Sequence, residues 1–212
     1  MAHTPTRKEH PLIFVVNHWI NAVCIGAFIL SGLYIHYPFF GGVMNLARGL
    51  HFVAIWVILI NLVVRIVAAF FVKDVVDPST GEVKADIYTF LPQKSNRHQF
   101  WPWVKYYLFF KKEAPISAKY GVLQKISYDL TPVLILAAAF TGFSIYPPTM
   151  VLWPFQQAML WAGGPMNMRI IHYFIMWIII LFTAIHVYLA NIYNFKPSAL
   201  IFLWKEAAPE KD

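Results

Sequence analysis

Residues 170–193 read IIHYFIMWIIILFTAIHVYLANIY, a run that contains no Asp, Glu, Lys or Arg. A helix of roughly 20 apolar residues crosses the hydrocarbon core of a bilayer, so this run is long enough to span a membrane. It nevertheless carries two histidines, His172 and His186. Ionisable side chains inside a membrane are costly and usually functional. The run therefore predicts a transmembrane helix whose histidines carry chemistry.

Three further segments have the same character, near residues 13–37, 50–72 and 126–147. Hydrophobic residues make up 59% of the 212-residue chain and charged residues only 13%, against about a quarter charged in soluble domains. Closed β-barrels are excluded because their strands alternate polar and apolar residues, whereas these runs are continuous. The sequence therefore predicts an all-α integral membrane protein, a four-transmembrane-helix bundle that forms a single domain over residues 1–212.

Basic residues lie mainly on one side of these spans, in the two tails and in the connection between the second and third spans. They are Arg7, Lys8, Lys73, Lys84, Lys94, Arg97, Lys105, Lys111, Lys112, Lys119, Lys125, Lys196, Lys205 and Lys211. The opposite side has only Arg48 and Arg169. The positive-inside rule then predicts that the N- and C-termini are cytoplasmic. The net charge of +7 reflects this topology, and no nucleic-acid partner is expected.

The connection between the second and third spans is predicted to contain an interfacial helix. Trp101, Pro102 and Trp103 are followed by KYYLFFKK at residues 105–112. Aromatic rings favour the acyl boundary and lysines the headgroups, so such a helix would lie in the membrane surface. A loop packed on the bundle is the alternative. Earlier in the connection, residues 77–81, DPSTG, predict a turn.

The histidines of the spans fall into two levels. Since successive spans run in opposite directions, His51 and His172 lie near the outer side, and His18 and His186 lie in the inner half. Several such histidines favour metal or haem, with neutral imidazole as the ligand. Each pair can clamp one haem iron between two helices of a bundle.

The spacing on the fourth span supports two stacked sites. His172 and His186 are 14 residues apart, which is about 21 Å along a helix and close to four turns. Both therefore point to one side of the helix. His36 also lies near the outer side, where it competes with His51 as a candidate ligand. Because the helix is expected to end before Pro38, we interpret His36 as an interfacial residue.

Other residues lie at the same two levels. Gly32 and Gly142 would let a flat ring approach closely, although ordinary small-residue helix packing is the alternative. Arg65 lies at the inner level, where a haem propionate is a suitable partner for a buried cation. Arg48 and Arg169 flank the outer level. Each could bind a propionate of the outer haem or simply anchor its helix at the membrane interface.

These residues together resemble a known family. The resembling motifs are His18-Trp19, Ser31-Gly32-Leu33-Tyr34, Arg48-Gly49-Leu50-His51-Phe52, Arg65-Ile66, the segment 103–112, Thr141-Gly142, His172 and Ile185-His186-Val187-Tyr188. Over nearly its whole length the chain resembles the cytochrome b subunits of membrane-bound nickel–iron hydrogenases and formate dehydrogenases, within the bacterial b561-like group.

The resemblance implies two haem b groups, the outer on His51 and His172 and the inner on His18 and His186. It implies a bacterial or archaeal cytoplasmic membrane, and partners that comprise an iron–sulfur subunit and the catalytic subunit of a hydrogenase or formate dehydrogenase. It further implies menaquinone or ubiquinone as the electron acceptor near the cytoplasmic face. The quinone candidates, by the same resemblance, are Lys119, Tyr120 and Gln124, although Gly121 stands where the family has Asn.

Three other functions remain open. A stand-alone b561-like oxidoreductase would act on quinol or superoxide without a partner. A cytochrome subunit of a thiosulfate- or polysulfide-type reductase would carry electrons in the opposite direction. A haem-free anchor or transporter would lack a Soret band, and a transporter would be expected to show internal repeats or discontinuous helices, which this sequence does not.

Overall fold

The computed structural model describes residues 11–77, 81–90, 98–112, 115, 122–191, 198 and 201. In chain order its elements are α1 (Leu12–His36), α2 (Met44–Phe71), β1 (Lys73–Asp77), β2 (Glu82–Ala85), α3 (Ile87–Phe90), α4 (Phe100–Tyr107), α5 (Val122–Ile145), α6 (Trp153–Trp161) and α7 (Pro165–Asn191).

Four of these helices, α1, α2, α5 and α7, are long and apolar enough to cross a membrane. This confirms the four predicted spans. Helices α2 and α7 begin earlier than expected, at Met44 and Pro165. Many large apolar side chains on these helices are exposed, among them Leu30 and Phe71. Such a surface suits lipid rather than water, and the chain is a multi-pass membrane protein.

Proline and glycine mark the ends of the long helices. Helix α1 ends at His36, shortly before Pro38, because the residue preceding a proline is disfavoured in the α conformation. Gly163 and Gly164 both have positive φ, of 83° and 116°, and terminate α6. Pro165 then opens α7, where its fixed φ suits the first helical position.

The described residues form two compact units. The first contains those within 1–22, 60–130 and 186–212, and the second those within 23–59 and 131–185. The most buried side chains of the first unit are polar, namely Asp74, Asp86 and Thr89. In the second unit they are Ile58 and Ser144.

A two-stranded antiparallel hairpin, β1–β2, follows α2 and was not anticipated from the sequence. The turn between the strands was predicted at residues 77–81; of these, 78–80 lie outside the described residues. Gly81 has φ of +69°, as a turn glycine often does. The signal for strands was present, because β-branched Val75, Val76 and Val83 flank the turn residues.

The predicted short helix in the same connection is α4. Trp103 stacks on Tyr107, four residues later, with ring centroids 5.6 Å apart. The helix ends at Tyr107 rather than continuing to Lys112, because Phe109 adopts a left-handed conformation with φ of 64°.

Candidate functional site

The second unit brings His51 and His172 together, and we call them the outer pair after their predicted side. His51 lies on α2 and His172 on α7, and both rings are half-buried. Their ring centroids are 6.3 Å apart, at an interplanar angle of 69°. Phe28 packs edge-on against His51 at 5.0 Å. The two imidazoles therefore face each other from separate helices.

The first unit brings His18 and His186 together in the same way, and we call them the inner pair. Their ring centroids are 6.4 Å apart and their planes are inclined by 39°. His18 lies on α1 and is half-buried, whereas His186 on α7 is exposed.

The distance within each pair matches a metal held between two imidazoles. A metal–imidazole nitrogen bond is about 2 Å long and the ring centre lies about 1 Å further, so two opposed ligands hold their centroids about 6 Å apart. Nowhere in the described part of the chain do three His, Cys, Asp or Glu side chains gather as ligands of a bare ion. Each pair would supply two imidazole nitrogens, and haem iron, which needs only two ligands from the protein, fits this donor set.

Each histidine of the outer pair contacts a hydroxyl group on a further helix. His51 Nδ1 lies 2.9 Å from Ser31 Oγ on α1. His172 Nδ1 lies 2.8 Å from Thr141 Oγ1 on α5. A metal-bound histidine usually makes such a contact through the ring nitrogen that faces away from the metal.

The predicted glycines lie against these same rings. A Cβ atom added at Gly142 would be 3.3 Å from Cε1 of His172, which is tighter than an ordinary contact. A Cβ atom at Gly32 would be 3.7 Å from Cε1 of His51 and 3.4 Å from Sδ of Met176. Both glycines therefore make room at the outer pair, and the rings next to them are those of the histidines.

Arg65 has a partner that the sequence analysis did not identify. Its Nη2 lies 2.7 Å from the Asp86 carboxylate, at the end of the hairpin. The guanidinium also sits over the rings of Phe14 and Phe90, at 4.2 and 5.2 Å from their centroids. Its Nη1 is buried and has no hydrogen-bond partner among the described residues. One donor of Arg65 thus remains for a second anion such as a propionate.

The remaining predicted residues at the outer side are exposed. Arg48 and Arg169 form no ion pair within the part of the chain that the structure describes. His36 stacks on Tyr173, with ring centroids 4.0 Å apart. The ring opposite His172 is that of His51. His36 instead contacts Tyr173, the residue after His172.

Of the quinone candidates, Lys119 and Tyr120 lie outside the described residues. Gln124 lies in the first turn of α5. The three remain predictions that the structure does not test.

A cluster of three asparagines, which the sequence did not predict, joins two helices of the first unit. Asn17 on α1 donates to Oδ1 of Asn61 on α2 at 2.8 Å, and Asn61 donates back to the Asn17 carbonyl at 2.9 Å. Asn61 also donates to Oδ1 of Asn21 at 2.8 Å. A signal existed, because amides inside apolar spans are uncommon and Asn17 and Asn21 share a helix face. The cluster joins α1 to α2 directly beside His18.

Replacing Asn61 with leucine should therefore destabilise the first unit. The change leaves the buried Asn17 amide with fewer partners, and we expect the free energy of unfolding to fall by roughly 1–3 kcal/mol. Thermal unfolding in detergent measures this, with Val63→Ala on the exposed face of α2 as the control. Equal stability of the Asn61→Leu variant and the parent would show that the cluster contributes nothing.

Comparison with known proteins shows the family of the chain. Residues 9–202 match the family model of prokaryotic cytochrome b561. A curated relative from Rhizobium leguminosarum bv. viciae, described as a probable Ni/Fe-hydrogenase B-type cytochrome subunit, is 26% identical over 195 residues. The match covers 82% of this chain and 75% of the relative. The chain, a multi-pass membrane protein with two facing histidine pairs, therefore belongs to the prokaryotic cytochrome b561 family, whose b-type cytochromes hold haem b.

Proposed function

We propose that this chain is the di-haem membrane subunit that carries electrons between an iron–sulfur oxidoreductase outside the cytoplasm and quinone in the membrane. The observation that carries the proposal is the pair of facing imidazoles in each unit, at 6.3 and 6.4 Å between centroids. Two ligand pairs support two haems, one on His51 and His172 and the other on His18 and His186.

Ligation by two histidines decides the class of chemistry. The two imidazoles of a pair would hold haem iron and leave no position on it for oxygen or substrate. The bound group would supply one-electron ferric–ferrous chemistry. The four histidines would hold the iron and exclude other ligands. Ser31 and Thr141 contact two of them, His51 and His172. Bond chemistry on the partner's substrate belongs to another subunit.

The proposed partner is a nickel–iron hydrogenase. The name of the Rhizobium relative supports a hydrogenase, and formate dehydrogenase is the next candidate by family resemblance. Basic residues on one side support cytoplasmic termini, so the outer pair would face the partner's iron–sulfur subunit. Arg48 and Arg169, both exposed on that side, are available for a haem propionate or for the partner.

The proposed acceptor is menaquinone or ubiquinone, bound near the start of α5. Quinone reduction consumes two electrons and two protons, so its site needs polar groups that border the cytoplasm. Lys119, Tyr120 and Gln124 are the proposed contacts, and the nearby inner pair would deliver the electrons. Electrons that enter outside and meet protons inside would move charge across the membrane.

Membranes that contain the chain with its native partner test this function. Hydrogen gas should reduce the b-type haem, which is followed by its α-band. An added menaquinone analogue should then reoxidise the haem. Reduction of the haem by formate instead of hydrogen would identify a formate dehydrogenase as the partner. Gln124→Ala should slow reoxidation without changing reduction by hydrogen. The control is Ser198→Ala, which removes a polar side chain that bonds to Asn191 and is not a proposed quinone contact, and it should change neither step.

Two results would contradict the proposal. Purified chain without a Soret band would leave only the haem-free anchor or transporter. The second result is a haem that neither hydrogen nor formate reduces, in a purified chain that oxidises quinol or consumes superoxide without a partner. This result would indicate the stand-alone oxidoreductase instead.

A further inference from the structure

Two hydroxyl groups meet the outer pair in the same manner, although they come from different helices. Ser31 reaches His51 from α1, and Thr141 reaches His172 from α5. Both hydroxyl residues are buried, at 3% and 7% exposure. Each histidine of the outer pair therefore contacts a hydroxyl group on a helix, α1 or α5, that carries neither histidine of the pair.

The proton of each hydroxyl is already committed to a backbone carbonyl. Ser31 Oγ lies 2.5 Å from the carbonyl oxygen of Ala27, and Thr141 Oγ1 lies 2.8 Å from that of Ala137. Two oxygens at such distances repel unless a proton lies between them, and a hydroxyl has only one proton to donate. Ser31 and Thr141 must then accept at their contacts with imidazole.

This direction fixes the tautomer of both rings. If the hydroxyl oxygen accepts, Nδ1 of His51 and of His172 carries the hydrogen and donates it. Nε2 of each ring then has its lone pair free for a metal. The hydroxyls thus select the form of the imidazole in which Nε2 can bind iron.

The residue that follows each hydroxyl completes the arrangement. Gly32 follows Ser31 and Gly142 follows Thr141, and both border the Cε1 edge of the ring that the hydroxyl holds. A side chain at Gly142 would press on His172 from 3.3 Å. The same dipeptide pattern, hydroxyl then glycine, therefore seats each ring of the outer pair.

We propose that Ser31 and Thr141 are positioning residues that fix the Nδ1–H tautomer of His51 and His172 and thereby lower the reduction potential of the outer haem. The proposal rests on the bis-histidine ligation proposed above. A hydroxyl acceptor draws the Nδ1 proton toward itself, which raises the basicity of the ring as a ligand. A more basic ligand favours ferric over ferrous iron.

Redox titration of the purified di-haem protein in detergent tests this proposal. Thr141→Val keeps the shape of the side chain and removes the hydroxyl, and Ser31→Ala removes the other. At the ambient potential where the parent's outer haem is half reduced, each variant should raise the ferrous-to-ferric ratio of that haem by roughly tenfold. This is the same order as the smallest losses of metal affinity when a hydrogen-bond partner of a ligand is removed. The inner haem should keep its potential. Thr141→Ser should restore the parent value.

Ser144→Ala is the matched control. Ser144 lies on α5 as Thr141 does, is fully buried and donates to a backbone carbonyl, that of Phe140, at 2.8 Å. Among the described residues it forms no hydrogen bond to a histidine, so its removal should leave both potentials unchanged. His51→Ala, which should lack the outer haem, identifies which of the two titration waves belongs to it.

Unchanged potentials in Thr141→Val and Ser31→Ala, with two haems retained, would overturn the positioning role and leave the ligation intact. Equal shifts of both haems, or the same shift in Ser144→Ala, would likewise overturn it, because they would indicate a general structural change. A parent protein without haem would instead refute the proposed function. Should Thr141→Val not fold, Ser31→Ala decides the question alone.

Discussion

Replacing any one of His18, His51, His172 or His186 with alanine is expected to remove one haem and leave the other. Each iron would lose one of its two protein ligands, and with it half of the iron–protein bonds of that site. Because His51 and His172 form one pair, His51→Ala and His172→Ala should give the same outer-haem defect. The inner haem should remain, because the inner pair lies in the other compact unit. His18→Ala and His186→Ala should give the same inner-haem defect.

Haem-to-protein ratio by pyridine haemochrome, together with the resolved redox titration, measures this effect. The ratio should fall from about two to about one in each of the four variants. His36→Ala and His98→Ala are the matched controls, because both remove an exposed histidine outside the pairs. A ratio that is insensitive to the four changes would refute the ligand assignment, and a loss in His36→Ala would transfer a ligand role to His36.

Breaking the Arg65–Asp86 pair should produce the largest loss of stability. Asp86 is fully buried and its carboxylate lies 2.7 Å from the Arg65 guanidinium. Removing one partner leaves the other charge buried without compensation, which costs about 3–5 kcal/mol. We therefore expect Asp86→Leu and Arg65→Met to unfold at markedly lower temperature in detergent. The double variant should recover much of the loss, since it leaves no unpaired charge.

The chain offers a matched pair as the control for this experiment. Lys84 and Glu82 form an ion pair of 2.6 Å on the neighbouring hairpin, but both side chains are about half exposed. Removing Glu82 should cost less than about 1 kcal/mol, as exposed ion pairs usually contribute little. Equal effects of Glu82→Ala and Asp86→Leu would show that burial does not determine the contribution of the Arg65 pair.

The same pair bears on the inner haem. If Nη1 of Arg65 binds a propionate, Arg65→Met should weaken inner-haem binding even in the double variant, whereas Asp86→Leu should weaken it less. The haem-to-protein ratio of the three proteins separates the two roles of the guanidinium.

Much of the histidine arrangement was accessible from the sequence. The level of a residue in a transmembrane helix follows from its position along the chain, because each residue advances the helix by a constant 1.5 Å. Counting from the ends of the spans therefore paired His51 with His172 and His18 with His186, and the structure brings these same residues together. It also suggested Gly32 and Gly142 as sites of close approach.

The partners of these residues were not accessible in the same way. The side chain that pairs with His51, His172 or Arg65 depends on the rotation of each helix about its axis and on helix packing. Neither of these is a property of one segment. Ser31 and Thr141 were known only as parts of family motifs. Asp86 lies 21 residues beyond Arg65, directly after a hairpin that was not predicted.

The sequence by itself determined that this chain is a four-span membrane protein with two levels of histidine, because span length and level depend on local composition and on the helical rise. Only the tertiary structure decided which polar groups meet, namely the hydroxyls with the outer pair, Asp86 with Arg65, and the three asparagines with one another. Hydrogen bonds require atoms from separate helices to lie within about 3 Å, and that distance is set by packing alone.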